Sequence, residues 1–327
     1  MGRWVLKILP LLEPIREELQ VVEETLHLAA HGEHERLGEI LNYLLDSGGK
    51  RIRPALVILA SKFHDHDAAR VLPLAAAVEM LHTATLVHDD LVDGSLLRRG
   101  SPTLNVELSA GAVILVGDYL FAWAADLAAA TESVPVVDIF AKTLMTICRG
   151  EITHAFDRDG WRRTKEDYYH STYSKTASLF AASAQSGALL SGAPDVTIQA
   201  LREYGCKLGM AFQIVDDILD LVGDEHVVGK PIGGDLRQGT VTLPLLLFLE
   251  EHPQTDLLRS IFEQQDGREE RIRALVDMVR SSPAIAAARE EAQRFTVESK
   301  QAIKDLTPNP YRQVMLDLAD FLLERRR

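Results

Sequence analysis

The sequence predicts an all-α protein, a single large bundle of about a dozen helices. Three observations carry that expectation. Aromatic residues make up only 6% of the 327 residues, while alanine and leucine abound; β-branched and aromatic side chains are the ones that suit a pleated sheet. Apolar residues recur at helical spacing from about residue 12 onward. No stretch has the composition of a linker, and no period of roughly 20 to 50 residues repeats, so one domain over 1–327 is expected.

The elements follow from the helix breakers in order. Gly48 and Gly49 end the first helical stretch, and Pro54 opens the next helix. A long apolar run then ends at the turn from Gly94 to Pro102. Pro135, Gly160 and the pair Gly192 and Pro194 divide the middle of the chain, and a second long run stops at Gly223 to Gly234. Pro253, Pro283 and Pro308 punctuate the rest.

Composition excludes several function classes. A formal net charge of -13 argues against a nucleic-acid partner, because phosphate backbones are bound by an excess of Lys and Arg. Cys148 and Cys206 match neither a zinc spacing nor a disulfide framework, which fits a reducing, cytoplasmic compartment. The N-terminal apolar run is interrupted by Lys7, Pro10 and Glu13, unlike a signal peptide. Neither "AGAVILVG" nor "LPLLLFL" reaches the roughly 18 apolar residues that span a bilayer, so a soluble protein is expected.

The chemistry lies in an internal echo. "VHDDLVDG" at 87 to 94 recurs as "IVDDILDL" at 214 to 221, each a D-D-x-x-D near the end of an apolar helix. Residues four apart on a helix lie about 40° from each other, so Asp89 and Asp93 share a face, as do Asp216 and Asp220. Like charges at that spacing repel. A divalent cation relieves the repulsion, and all-oxygen ligands suit Mg²⁺, which keeps several waters and is completed by substrate phosphates. Two such helices facing each other would clamp a diphosphate. A single copy would read as a solvated helix end; two copies behind strongly apolar runs argue for one site.

Basic groups with anion-binding logic accompany the aspartates. "SGGKRIRPAL" brings Lys50, Arg51 and Arg53 to a glycine turn just before Pro54. Arg98 and Arg99 follow the first acidic motif, Lys175 and Thr176 stand in "YSKTASLF", and Lys230 lies in the loop after the second motif. Each alone is ordinary surface charge. Together, in so acidic a chain, they sit where phosphates would have to lie.

With "GGKRIRP", "HTATLVHDDLVDGSLLRRG", "SKTASLF" and "GMAFQIVDDILDLVGDEHVVGKPIGGDLRQGTVTLPLL" in this order from about residue 45 to 250, the chain resembles the trans-isoprenyl (polyprenyl) diphosphate synthases. The resemblance implies an isoprenoid-synthase bundle around a central cavity, a homodimer, and Mg²⁺ joining an allylic diphosphate to both acidic motifs. By position it implies Asp89, Asp93 and Asp216 as metal ligands, with Asp90, Asp217 and Asp220 in support. Lys50, Arg53, His82 and Arg99 would hold isopentenyl diphosphate. Arg98, Lys175, Thr176, Gln213 and Lys230 would serve the allylic diphosphate and the cation left on its departure. Thr240 stands where many members carry a lysine, which puts part of that contact in doubt.

The implied reaction ionises the allylic diphosphate, condenses the cation with isopentenyl diphosphate and eliminates a proton. The product tail is expected to run along the helix of the first motif, past Thr85 and Ala84, about 6 to 7.5 Å back from Asp89, with Leu81 and Val78 further down. A small residue at 84 implies a medium or long chain; alternatively, Ala84 merely lets two helices approach. Geranylgeranyl or farnesyl diphosphate synthase is the alternative product class. A class I terpene cyclase would not need the second diphosphate site, and a non-catalytic subunit of a heteromeric synthase would be expected to have decayed motifs. His27, His31 and His34 read as a polar helix face, "HDHD" at 64 to 67 as a solvated turn, and "ERRR" at the C-terminus as a helix end, for which the resemblance offers closure over isopentenyl diphosphate.

Overall fold

The computed structural model describes residues 8, 10–31, 34–47, 49–98, 100–156, 160–223, 232–252, 255–264 and 266–325. Most of them are helical. The first half contains α1 (Arg16–Leu28), α2 (Glu35–Asp46), α3 (Ile52–Ser61), α4 (Ala68–Val92), α5 (Ala110–Ala129) and α6 (Val134–Phe156). A two-residue hairpin, β1 (Leu97–Arg98) with β2 (Ser101–Pro102), follows α4. Next come α7 (Lys165–Thr172), a π-helical turn at Tyr173–Ala177, α8 (Ser178–Leu190), α9 (Asp195–Val222) and α10 (Gly234–Arg237). The chain closes with α11 (Leu243–Glu251), α12 (Thr255–Glu263), α13 (Arg268–Arg280), α14 (Ala284–Ala302) and α15 (Pro310–Leu323).

Local chemistry sets several of these boundaries. His34 accepts the Arg36 amide at 3.3 Å to cap α2, so this histidine of the N-terminal trio serves as a cap. Asp67, from "HDHD", accepts the Ala69 amide at 2.9 Å and caps α4. Thr164 and Asp167 form a reciprocal capping box on α7. α3 begins at Ile52, two residues before the proline expected to open it.

The helices gather into two compact units. The first comprises Met1–Leu144, Leu179–Gly205 and Ala302–Leu318. Its core is α4 packed against α5, α3 and α1, with Leu56, Leu59, Met80 and Leu81 fully buried. Each such side chain contributes roughly 1.5–3 kcal/mol relative to exposure. α8 crosses α3 so closely that a Cβ on Gly187 would lie 2.2 Å from the Val57 carbonyl oxygen, which only glycine allows.

α4 and α5 also correct an expectation. Both are long and apolar enough to cross a membrane, which counting uninterrupted apolar runs overlooks. The apolar window of α4 is 67% buried inside the protein, that of α5 only 33%. The first is a core helix; the second keeps an apolar face outward.

The second unit comprises Met145–Ser178, Cys206–Gln301 and Ala319–Arg327. Its core gathers Ile214 and Ile218 of α9, Phe248 of α11, Leu258 and Ile261 of α12, Leu275 of α13 and Phe295 of α14. Asp217 is set among them at 3% exposure. The Tyr168 hydroxyl donates to it at 2.6 Å and the Gln213 amide at 2.9 Å. Burial nonetheless pushes its carboxyl up to about 7, helped by the charges of Asp216 and Asp220 and opposed by the two hydrogen bonds.

A carboxyl raised by folding is stabilised in its protonated form. The resulting stability is complete below the usual carboxyl range and is lost as pH rises through about 7. In chelator-containing buffer the melting temperature of the protein is therefore expected to fall between about pH 4 and 7 and to level off above that. Asp217→Asn should flatten that decline and melt above the unmodified chain at the alkaline end. A parallel pair of curves in calorimetry would refute the assignment.

Candidate active site

α4 sorts the first acidic motif by face. Leu81, Ala84, Val87 and Asp90 are buried, while His82, Thr85 and Asp89 are half-buried and Asp93 is exposed at the helix end. Offsets of three, seven and eleven residues put His82, Thr85, Asp89 and Asp93 on one stripe, His82 lying about 10 Å behind Asp89. Two of the residues named for the tail's path lie on the buried side of α4. Ala84 and Leu81 are fully buried, because the tight packing of α4 occupies that side. Only Thr85 shares the stripe of Asp89, its hydroxyl bonded to the His82 carbonyl at 2.7 Å.

Asp90 turns inward and organises the following loop. The Arg98 guanidinium Nε donates to both its oxygens, at 2.9 and 2.8 Å. Its carbonyl accepts from Asn105 at 2.6 Å and from the Ser95 amide at 2.9 Å. Arg98 is therefore held at the first motif by the second aspartate of that motif.

The glycine turn before α3 divides its cations. Lys50 and Arg53 are half-buried, and the Arg53 guanidinium lies over the Phe180 ring, 4.8 Å from its centroid. Arg51, grouped with them in the sequence, instead points into the first unit and pairs with Glu23 and Glu79.

In the second unit α9 repeats the sorting. Gln213, Asp216 and Asp220 form a half-buried stripe, with Asp217 inward. Asp220 accepts the amides of Gly234 and Asp235 at 3.1 and 3.2 Å, which fastens the start of α10. Asp235 joins the cluster. Burial and then the charges of Asp220, Asp217 and Asp216 push its carboxyl well above the usual range, with Lys175 opposing.

The π-helical turn carries Lys175 and Thr176, in keeping with the association of π-bulges with functional sites. Gly150 of α6 lets the turn approach, since a Cβ there would stand 2.7 Å from that of Ser174. Lys175 Nζ consequently reaches Glu151 at 3.0 Å. Thr176 is buried, and its hydroxyl donates to Gln213 at 2.7 Å. Thr176, Gln213, Asp217 and Tyr168 form one hydrogen-bonded chain, so Thr176 acts on the second motif through Gln213. Thr240 approaches His154 at 3.4 Å, and its amide donates to the Asp235 carbonyl at 2.8 Å.

Near the C-terminus, Arg325 is buried, 2.6 Å from Asp216 and over the Phe212 ring. It is thus no solvated helix end. Arg99 and Lys230, and the last two arginines of "ERRR", lie outside the described residues.

Asp235, Tyr168 and Glu151 are not singled out by the sequence reading, and Arg325 enters it only as part of "ERRR". Asp235 alone carried a signal, an acidic residue directly after two glycines in a stretch already singled out. Among the described residues no three carboxylate, imidazole or thiol groups converge tightly enough to hold a metal on their own. The donors are oxygens paired one helical turn apart, which fits a hard divalent cation that keeps water and takes further ligands from phosphate. The repulsion that adds to burial in raising Asp217 and Asp235 is what such a cation relieves.

Comparison with known proteins agrees with these features. Residues 34–279 match the polyprenyl synthetase family. The chain is 37% identical to the heptaprenyl diphosphate synthase component 2 of Geobacillus stearothermophilus, over 95% of this chain and 97% of that protein. It is 33% identical to the octaprenyl diphosphate synthase of Escherichia coli, over 87% and 88%. A crystal structure of a polyprenyl synthase from Caulobacter crescentus, complexed with calcium and isoprenyl diphosphate, superposes with a TM-score of 0.91 at 32% identity, covering 97% of each chain. With the motifs, the all-α architecture and this coverage in agreement, the chain belongs to the polyprenyl synthetase family of prenyl-transferring enzymes.

Proposed function

We propose that the protein condenses isopentenyl diphosphate with an allylic diphosphate to give a trans-polyprenyl diphosphate of medium or long chain. The observation that carries the reading is the repeated sorting of D-D-x-x-D. In each copy the second aspartate is buried and hydrogen-bonded while the first and last stay accessible, in a chain whose relatives are named heptaprenyl and octaprenyl diphosphate synthases.

Asp89, Asp93 and Asp216 would hold Mg²⁺, with Asp220 and Asp235 alongside Asp216. When bound, the ion supplies positive charge that neutralises the departing diphosphate. The carbon–oxygen bond of the allylic substrate breaks, and its electron pair leaves with diphosphate. Arg98 and Lys175, together with Lys230, meet the charge that develops there. Preorganised electrostatics of this kind usually contributes most to catalysis. Lys50, Arg53, His82 and Arg99 hold isopentenyl diphosphate, whose double bond attacks C1 of the cation. A proton then leaves to the released diphosphate. Buried apolar helices keep water from the cation.

Turnover should vanish in EDTA and return with Mg²⁺. Asp89→Asn and Asp216→Asn should each lower kcat by roughly 10²-fold or more, measured by incorporation of labelled isopentenyl diphosphate. Diphosphate release without chain growth would instead mark cyclase or hydrolase chemistry.

Chain length is assigned to the stripe below Asp89. Thr85→Phe is expected to shorten the products in chromatography. Ala84→Phe overpacks the core, at a cost of about 1–3 kcal/mol in stability. Unchanged product length in Thr85→Phe would remove the ruler.

The protein is further read as a single-domain, cytoplasmic homodimer. Both unit boundaries that fall within α6 and α9 cut continuous helices, which supports one domain. α5 exposes Ile114 at 46% and Leu115 at 69%, with Gly111, Ala122 and Ala125 also exposed, a largely apolar stripe, interrupted by the exposed Asp118, that suits a second copy. A relative named as one component of a synthase raises the second reading, a different partner subunit. Leu115→Glu should convert a dimer into a monomer by light scattering. A chain that is monomeric and inactive alone would favour the second subunit.

A further inference from the structure

Arg51 is one of two described non-glycine residues with positive φ, at φ 49° and ψ 33°, immediately before α3. Glycine is the ordinary occupant of that region of conformational space. The reason an arginine stands there lies in its guanidinium. Nε donates to Glu23; one terminal nitrogen donates to Glu23 at 2.9 Å and to the Leu45 carbonyl at 3.2 Å; the other donates to Glu79 at 2.8 Å. The side chain is 14% exposed and that of Glu79 only 4%. One residue thereby ties α1, the end of α2 and α4 to the turn that precedes α3.

The neighbouring glycine fits the same arrangement. A Cβ on Gly49 would lie 2.8 Å from the Glu79 carboxylate and 3.1 Å from the Arg51 guanidinium. The turn therefore runs against the buried ion pair. Lys50 and Arg53 flank Arg51 at one residue before and two after, so the conformation of Arg51 sets the directions from which both depart.

We propose that Arg51 is a positioning residue. Through its pairs with Glu23 and Glu79, it holds the left-handed turn that aims Lys50 and Arg53 at the diphosphate of the non-allylic substrate. The planar fork matters, because a lysine carries the charge without the multidentate geometry. The inference rests on the reading that Lys50 and Arg53 bind isopentenyl diphosphate.

Steady-state kinetics with isopentenyl and farnesyl diphosphates, varied separately, tests it. Arg51→Lys should raise the KM for isopentenyl diphosphate about tenfold, leaving kcat and the KM for the allylic substrate within about twofold. Gly49→Ala, which removes no charge, should shift the same KM in the same direction. A folded Arg51→Lys enzyme with unchanged KM for isopentenyl diphosphate overturns the proposal, as does an equal loss across all three constants. If Arg51→Lys does not fold, Gly49→Ala decides by the same criterion. Lys50→Ala and Arg53→Ala serve as references. Should neither raise that KM, the binding reading falls and takes the inference with it; should both raise it while Arg51→Lys and Gly49→Ala do not, only the inference falls.

Discussion

The second unit is arranged around a single electrostatic difficulty, four neighbouring carboxylates, of which Asp217 is buried and the others half-buried. Asp217 and Asp235 are raised first by burial, which penalises the charged form, and then by the charges of their acidic neighbours. The surrounding contacts answer that difficulty: Tyr168 and Gln213 donate to Asp217, α10 presents amides to Asp220, Arg325 meets Asp216, and Lys175 lies close enough to oppose the rise of Asp235. Arg325 and Lys175 offset part of the negative charge, and the hydrogen bonds fix where the rest of it sits.

The first motif solves a smaller version by dividing labour. Asp90 gives up accessibility to bind Arg98 and the loop after α4, which leaves Asp89 and Asp93 on the open stripe. Asp217 plays the corresponding part in the second motif with a tyrosine and an amide in place of an arginine. The adjacent aspartates in D-D-x-x-D are therefore different in kind. Neighbours on a helix lie about 100° apart, so one of them must face the interior when the other faces out.

Much of this was legible in the sequence, because helices and acidic motifs are local patterns. Apolar periodicity gave the all-α class, and the repeat of D-D-x-x-D located both carboxylate stripes. The pairings across the chain were not legible. Arg51 meets Glu23 and Glu79, each 28 residues away, and a cationic turn looks the same whether its arginine faces solvent or the interior. Arg325 reads as a polar tail until it is seen buried against Asp216. Ala84 is buried within the packing of α4, and small size alone does not tell a channel wall from a close contact.

The π-helical turn at Tyr173–Ala177 has a consequence for how this chain can vary. The Ser178 amide reaches back to the Tyr173 carbonyl, five residues away, so the turn holds one residue more than an ordinary one. Deleting a single residue there would restore a regular coil and rotate all of α7 by a fixed phase relative to α8. Tyr168, whose hydroxyl donates directly to Asp217, would swing out of register with it. This stretch should consequently tolerate exchange of side chains far better than any change in its length.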